Sequence, residues 1–441
     1  MTCPDDTVIT VPIAVVGAGS RGHSYCEWLR SHPDGIVEGT VRVRAFLAAV
    51  AEPRPAVLAG FVSRFDPSRR ARTYRDWRLL LEDPPAGVNT VLLCTQDDDH
   101  VHSAAAFAAA GWNVLLEKPM AVREIDCEQI VLAAHRGGGI FAVCHVLRYT
   151  PYTTELLRIL RSGVIGRLMT IQHLEPIGYW HFAHSFVRGP WSREADSAPV
   201  VLAKCCHDLD WLTYLAGNRV RRVHSFGSLS YFRPENKPPA AGNATRCTAC
   251  AIHSSCTYSA TRVYPPRYQP GQWPAVHLVE TGSPGALDDA LRHGPYGRCV
   301  FDAGNDVCDH QVVNLEFDDG ALASLTLSAF TPLADRKTRV MGTEGYLEGD
   351  GERIAVYAFG SETTTSHEIS RAGEMSVAGG HRGGDFGLMR SFVLAVALGE
   401  RDRITTTPAE SLHSHQVAFA AERSRRQGTV EVLDNTDVRL R

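Results

Sequence analysis

The stretch ITVPIAVVGAGSRGHSYCEWLRSH, residues 9–32, constrains the fold more than any other. An apolar run short enough to be one buried strand stops on glycines and passes directly into helix-forming residues. A second apolar run, VRVRAFLAAVAEP, follows and carries Glu52 at its end, which completes a strand–helix–strand unit. The rhythm continues: TVLLCT (90–95) reads as a strand, HVHSAAAFAAAG as a helix, WNVLLEKP as a strand, EIDCEQIVLAAHRGG as a helix ending in glycines, and IFAVCHVLRY as a further strand. Strands and helices alternating at this length predict an α/β fold with a mostly parallel sheet covered on both faces.

After about residue 150 the pattern changes. RLMTIQHLEP, RVHSFGSLSYF, QVVNLEFDDGALASLTLSAF, TRVMGTEGYLEGD and RIAVYAF read as strands joined by short turns, which predicts antiparallel pairing in a second domain. With 441 residues and 44% hydrophobic composition the chain has material for two cores. The boundaries expected are 1–148 and 149–441, with an insertion at about 233–300 that is rich in Pro, Gly, Cys and Tyr and lacks periodicity.

A net charge of −4 without long basic runs gives no footprint for nucleic acid or an anionic membrane surface, so the expected partner is a small molecule. No stretch approaches the ~18 apolar residues of a membrane helix, and the acidic start MTCPDDTVIT lacks a basic secretory n-region. A soluble, cytoplasmic protein with reduced thiols is the expectation.

The glycine turn has the context of a dinucleotide site. Gly17 suits the tight turn, Gly19 lets backbone approach a pyrophosphate, Ser20 and Arg21 open the helix over the phosphates, and Gly22 permits close helix–strand packing. Glu52 would accept from ribose hydroxyls, which favours NAD over NADP, although Arg54 two residues on suits a ribose phosphate. Its distance from the glycines is longer than usual, an excess assigned to the loop SHPDGIVEGT. Thr95 and His100 lie on the loop after the next strand, at the carboxyl edge where open α/β sheets bind ligands.

With VVGAGSRG, the segment CTQDDDHVHSAAAFAAAGWNVLLEKPM and the later KCCHDLDWL, nearly the whole chain resembles the Gfo/Idh/MocA family of sugar and cyclitol oxidoreductases. The resemblance implies an N-terminal Rossmann NAD-binding domain followed by an α+β domain with a large, mainly antiparallel open sheet. It also implies that Glu117 and Lys118 of EKP belong to the cofactor site, with Lys118 facing both nicotinamide and substrate, and that Pro119 is cis. His207 matches the family's histidine for general acid/base work, a role its ordinary pKa suits. Family members commonly carry an aspartate four residues earlier, where this chain has Ala203, so Lys204 is a candidate replacement and Asp208 a candidate partner for orienting His207. Similar proteins commonly associate through the second domain's sheet, which implies a homo-oligomer.

Arg148 and the polar and aromatic residues of EPIGYWHFAHSFVRGPW, namely Glu175, Tyr179, Trp180, His181, His184, Arg188 and Trp191, are candidates for binding a polyhydroxylated ring. An aromatic lid packed on its own core is the alternative. His381 in GGHRGGD is similar to the histidine–glycine stretch of NAD-dependent glycosidases in the same superfamily. Three readings therefore stand: hydride transfer with a secondary alcohol of a sugar, glycoside or cyclitol; glycoside cleavage through transient ring oxidation with NAD retained; and an NAD-binding sensor without turnover.

In the insertion, RCTACAIHSSC supplies Cys247, Cys250 and Cys256, and Cys299 follows in YGRCVF. Two thiolates at C-x2-C spacing can share one metal, and four ligands make a tetrahedral structural zinc, with Cys308 or His253 as substitutes for Cys299. A metal crosslink would account for an insertion with little hydrophobic patterning. Disulfides, unrelated thiols or an iron–sulfur centre are the alternatives.

Overall fold

The computed structural model describes residues 7–270, 272–279, 283–369 and 382–434. They fall into two compact units, one built from described residues up to 158 together with 382–416, the other from those within 159–369 and 417–434.

In the first unit, β1 (Thr7–Val16), β2 (Ile36–Glu38), β3 (Val41–Ala51), β4 (Arg72–Tyr74), β5 (Thr90–Leu93), β6 (Asn113–Leu116) and β7 (Phe141–Val143) form one seven-stranded sheet in the order β2-β3-β1-β5-β6-β7, with β4 also pairing β3. Every pairing is parallel except β2 with β3. Chain order reverses at β1, between β3 and β5, and the glycine turn stands at that switch point, the place where open α/β sheets bind ligands. The loop expected between the first helix and the second strand contains β2. Gly39 at φ +59 begins a two-residue turn, and Glu38 pairs with Val41.

The helix Ser20–Ser31 brings Tyr25, Trp28 and Leu29 into the core, and the helix Gly384–Leu398 adds Leu388, Met389, Phe392 and Val393. That second helix was expected with the second domain. It joins the first because its apolar residues extend the same core as Val15, Leu92 and Ala142 of the parallel strands.

In the second unit, β8 (Leu168–Pro176), β9 (Val220–Ser228), β10 (His310–Phe317), β11 (Leu322–Ser328), β12 (Lys337–Gly342), β13 (Gly345–Gly349), β14 (Arg353–Ala358), β15 (Thr363–Glu368) and β16 (Glu431–Val432) form a nine-stranded sheet ordered β15-β14-β13-β12-β8-β11-β10-β9-β16. It is antiparallel throughout apart from β8 with β11. Burial alternates residue by residue along β10 and β11, so one face is covered, and the helix Cys206–Ala216 packs against β8 and β11. Among the described residues no helix is long and apolar enough to cross a membrane.

Between β9 and β10 the insertion folds around its own aromatic cluster. Ala260, Val263, Tyr264, Leu291 and Tyr296 pack with Cys247 and with Trp180 from outside the insertion.

Candidate functional site

The first unit presents a glycine-lined cradle at its strand ends. Gly17 has φ +91, donates its N–H to Ala51 O at 2.9 Å, and any Cβ there would lie 2.4 Å from Cys94 O. A Cβ on Gly22 would lie 2.4 Å from Gly17 O, so the helix closes tightly on the turn. A Cβ on Gly19 meets nothing within 4 Å, and Gly19 caps the helix Ser20–Ser31 without a side-chain hydrogen bond. The N-terminus of that helix therefore starts beside open space at Gly19 with no side chain capping it, a setting that suits an anion. Two buried polar atoms at the same strand ends, Thr95 Oγ1 and His100 Nε2, have no hydrogen-bond partner among the described residues. Buried polar atoms rarely stay unsatisfied in a finished site, so the cradle fits a polar ligand such as a dinucleotide.

Glu52 is buried at the end of β3, and all four of its acceptor positions are taken. Oε1 accepts from Arg54 N at 3.0 Å and Nε at 2.7 Å, while Oε2 accepts from Ala18 N at 3.0 Å and Arg54 Nη2 at 3.1 Å. Burial pushes this carboxyl up, but the hydrogen bonds from Arg54 and Ala18 outweigh it and hold the group below the usual glutamate range. Glu52 is thus an ionised anchor of the glycine turn, with Arg54 holding three of its four acceptor positions.

Arg21 and Glu117, both expected at the cofactor site, are paired with each other. The Arg21 guanidinium donates to Glu117 Oε1 at 2.7 Å and to Tyr25 OH at 2.7 Å, and it pairs with Asp385. Burial raises the Glu117 carboxyl, but the neighbouring Arg21 charge and the bonds from Tyr25 and Arg21 bring it below its ordinary value. Glu117 Oε2 also accepts from Lys118 N at 3.1 Å. The two residues thus tie the helix Ser20–Ser31 to the segment after β6. Lys118 is half-buried after β6, and its bond to Pro119 is cis. Burial lowers the pKa of His145 well below its usual range, helped by the charges of Arg148 and Lys118, so a neutral imidazole lies within electrostatic reach of the lysine. Arg148, expected on the substrate, is buried with Nη1 2.5 Å from Thr405 O and Nη2 3.7 Å from Glu410.

The second unit contains a buried ionic network. Lys204 Nζ lies 3.0 Å from Glu175 Oε1, and Arg336 Nε lies 3.1 Å from Glu175 Oε2. Arg336 also pairs with Asp208, which accepts at Oδ1 from His173 Nε2 at 2.9 Å, and His173 Nδ1 is 2.8 Å from Thr338 Oγ1. Burial alone would raise the Asp208 carboxyl, yet the Arg336 charge and the bonds from His173 and Arg336 hold it well below the carboxylate range. Asp208 is therefore the partner of Arg336 and His173, which corrects the expectation that it orients His207. His207 is buried in the first turn of its helix. Lys204 and Arg336 keep about a fifth of their side chains exposed, so this network reaches solvent through its two cations.

Of the expected ring-binding residues, Trp180, His184 and Arg188 are buried and fasten the insertion. His184 stacks on Tyr296 at 4.6 Å and 15°, with Nδ1 3.1 Å from Tyr264 OH, and burial among these groups lowers its pKa to about 3. Arg188 donates to Arg298 O and Tyr258 O, both at 2.7 Å, and to Cys247 Sγ at 3.6 Å. Trp180 and His181 each pack 4.9 Å from Trp273. Tyr179 and His181 stay half-buried, and burial with the nearby Lys204 charge keeps His181 neutral. His381 lies outside the described residues.

The zinc expectation is not supported. Among the described residues no group of three or more His, Cys, Asp or Glu side chains is arranged to hold a metal ion, and Cys247, Cys250, Cys256 and Cys299 are free thiols. Cys247 is engaged by Arg188 and lies 3.7 Å from Arg298 O. The physical reason for expecting a metal was a missing core, and the aromatic cluster supplies one.

The reading of the sequence missed Arg336, His173, His415 and Asp385, which no local motif marks. Arg336 precedes β12 and reaches Glu175 only because Lys337 is registered against Leu174 of β8.

Residues 11–145 match the family model described as an oxidoreductase family with NAD-binding Rossmann fold, and residues 158–432 match the model of that family's C-terminal alpha/beta domain. The Bacillus subtilis (strain 168) protein YteT, named as an oxidoreductase, is 27% identical over 308 residues, 67% of this chain and 69% of that protein. Inositol 2-dehydrogenase 2 of Saccharopolyspora erythraea is 29% identical over 213 residues, 48% of this chain and 56% of the relative, so the chain spans little more than half of that enzyme. An Agrobacterium radiobacter oxidoreductase solved with NAD+, L-tartaric acid and magnesium shares the fold at TM-score 0.67 and 15% identity, over 96% of this chain and 98% of its own.

Proposed function

The chain belongs to the Gfo/Idh/MocA family of oxidoreductases, and from that membership we propose that it transfers hydride between NAD and a secondary alcohol or ketone of a sugar, glycoside or cyclitol. The observation that carries this reading is the open space at Gly19 over an uncapped helix N-terminus, followed in the same unit by the half-buried Lys118. The helix N-terminus, Gly17 and Gly19 would hold the pyrophosphate, Glu52 the ribose, and Thr95 and His100 the neighbouring polar groups. Bound NAD supplies the hydride acceptor or donor.

The chain supplies the proton chemistry. Lys118 Nζ stabilises an alkoxide or exchanges its proton, and His207 is a second candidate for acid/base work. Lys204 Nζ, on its Glu175 partner, is the candidate that replaces the carboxylate absent at Ala203. Only four of the 45 Lys and Arg residues are lysine, and two of them are Lys118 and Lys204. Arginine cannot give up its proton, whereas lysine can, which supports a proton-exchanging role at both positions. A homo-oligomer formed through the second unit's sheet accords with exposed Phe226, 64% accessible on β9.

The test is NADH accumulation with a panel of polyols, glycosides and cyclitols. Accumulation in the wild type that falls about 100-fold or more in Lys204→Arg, without loss of fold, supports both the reaction and the lysine's role. Absence of NADH with every substrate class, in protein that binds NAD, overturns it.

Buried Ala203 favours a second reading, in which ring oxidation is transient and NAD stays bound while the aglycone is eliminated. Leaving-group release without net NADH, with solvent deuterium entering beside the transient ketone, distinguishes that case.

A further inference from the structure

We infer that His415 is a positioning residue for Lys118, acting through the peptide plane that follows Pro119. That plane carries Pro119 C=O on one edge and Met120 N–H on the other, and an imidazole grips each. His100 Nδ1 lies 2.8 Å from Pro119 O; a carbonyl only accepts, so His100 donates. On the opposite edge Met120 N–H donates to His415 Nε2 at 2.8 Å, across 295 residues of sequence.

His415 is itself oriented. Its Nδ1 lies 2.7 Å from Ser411 O, one turn earlier on the helix Pro408–Gln427, and must donate there. A ring that donates from Nδ1 and accepts at Nε2 is the neutral tautomer, and the second-nitrogen bond fixes it as it does for a metal-binding histidine. His100, Met120 and His415 are all fully buried, and the ring of His145 packs 5.5 Å from that of His415. Water is therefore not available to replace either bond. A peptide plane held at both edges cannot rotate without breaking one bond, so the backbone one residue upstream, at Lys118, is fixed by the same two contacts. That Lys118 needs this placement for hydride transfer rests on the function proposed above; the placement itself does not.

The chain's four lysines make a direct test practical. The intact protein is reductively methylated with 13C-formaldehyde, and the Lys118 resonance is assigned with Lys204→Arg, Lys237→Arg and Lys337→Arg. In nucleotide-free protein, His415→Leu and His415→Asn, which offer Met120 no acceptor within reach, are expected to displace the Lys118 resonance and leave Lys237 and Lys337 in place. His415→Gln, whose Oε1 can accept from the same N–H, is expected to return it. A Lys118 resonance unmoved in folded His415→Asn, or displaced equally in His415→Gln, overturns the inference; His415→Asn serves if the leucine variant does not fold. NADH is then added to the wild type. If it leaves Lys118 unmoved, the nucleotide reading fails, while the comparison in free protein still decides the role of His415.

Discussion

Arg336 closes a two-pronged ion pair on Asp208, with Nη2 3.1 Å from Oδ2 and Nε 2.5 Å from Oδ1. The acid stands next to His207 in sequence, but consecutive helix residues do not face each other, so the neighbour that could be seen was the wrong partner. The right one comes from a strand entrance 128 residues away.

Removing Arg336 takes the guanidinium from the buried Asp208 carboxylate and leaves it the His173 bond. Arg336→Leu is expected to cost about 3–5 kcal/mol, because breaking a buried pair strands its other charge. The pH dependence should change with it. In the wild type the Asp208 carboxyl is held below its ordinary value, so its contribution is complete above the unfolded pKa, ~3.9, and is lost as pH falls through the folded value. Without the guanidinium, burial raises the carboxyl instead, and stability at this site grows as pH falls. Urea unfolding of both proteins between about pH 7 and pH 4 reads the difference in slope.

Gly17 and Gly19 should separate folding from binding. Gly17→Ala places a Cβ against Cys94 O at a positive φ and should destabilise by about 2–3 kcal/mol. Gly19 has an extended backbone, φ −80 and ψ −166, and open space, so Gly19→Val should fold with a loss of only about 1 kcal/mol at the helix cap. It should nonetheless weaken NADH binding by roughly 100-fold or more, since its side chain fills the phosphate cradle. Calorimetric titration beside a melting curve checks both halves. Tight NADH binding by the valine variant would move the nucleotide elsewhere.

Arg54 competes with ribose for Glu52. Its side chain is 62% exposed, so the pair is worth at most about 1 kcal/mol. Arg54→Ala should therefore tighten NADH binding by up to about fivefold and weaken NADPH binding, as the cation paired with Glu52 is removed. Parallel titrations with the two cofactors measure the ratio, and an unchanged ratio would exclude Arg54 from specificity.

The insertion should depend on its aromatic core and be indifferent to chelators. Tyr296→Ala removes the ring under His184 and is expected to cost about 3–5 kcal/mol. EDTA should leave the melting temperature unchanged, and metal analysis should find no stoichiometric zinc. A lowered melting temperature with EDTA would restore the Cys247, Cys250, Cys256 and Cys299 site.

Much of this protein was legible in one dimension. The alternation of apolar strands with helices and the glycine turn on β1 determined the parallel sheet and the tight strand-to-helix turn, because backbone conformation and strand burial act over a few residues. The change to short alternating strands after residue 150 likewise determined the antiparallel sheet. What only the tertiary structure decided is how the polar side chains are shared out. Arg21, Glu117 and Arg148 read as ligand contacts in sequence, and nothing local announces the partners the fold brings to them, Tyr25, Asp385 and Thr405. Trp180, His184 and Arg188 read in sequence either as a binding loop or as a lid packed on its own core, and the fold packs them against the insertion. A buried charge or hydrogen-bonding group takes whichever partner the fold brings within about 3 Å, and sheet register and helix packing bring that partner from hundreds of residues away. Local pattern encodes the scaffold, and long-range packing assigns its polar groups.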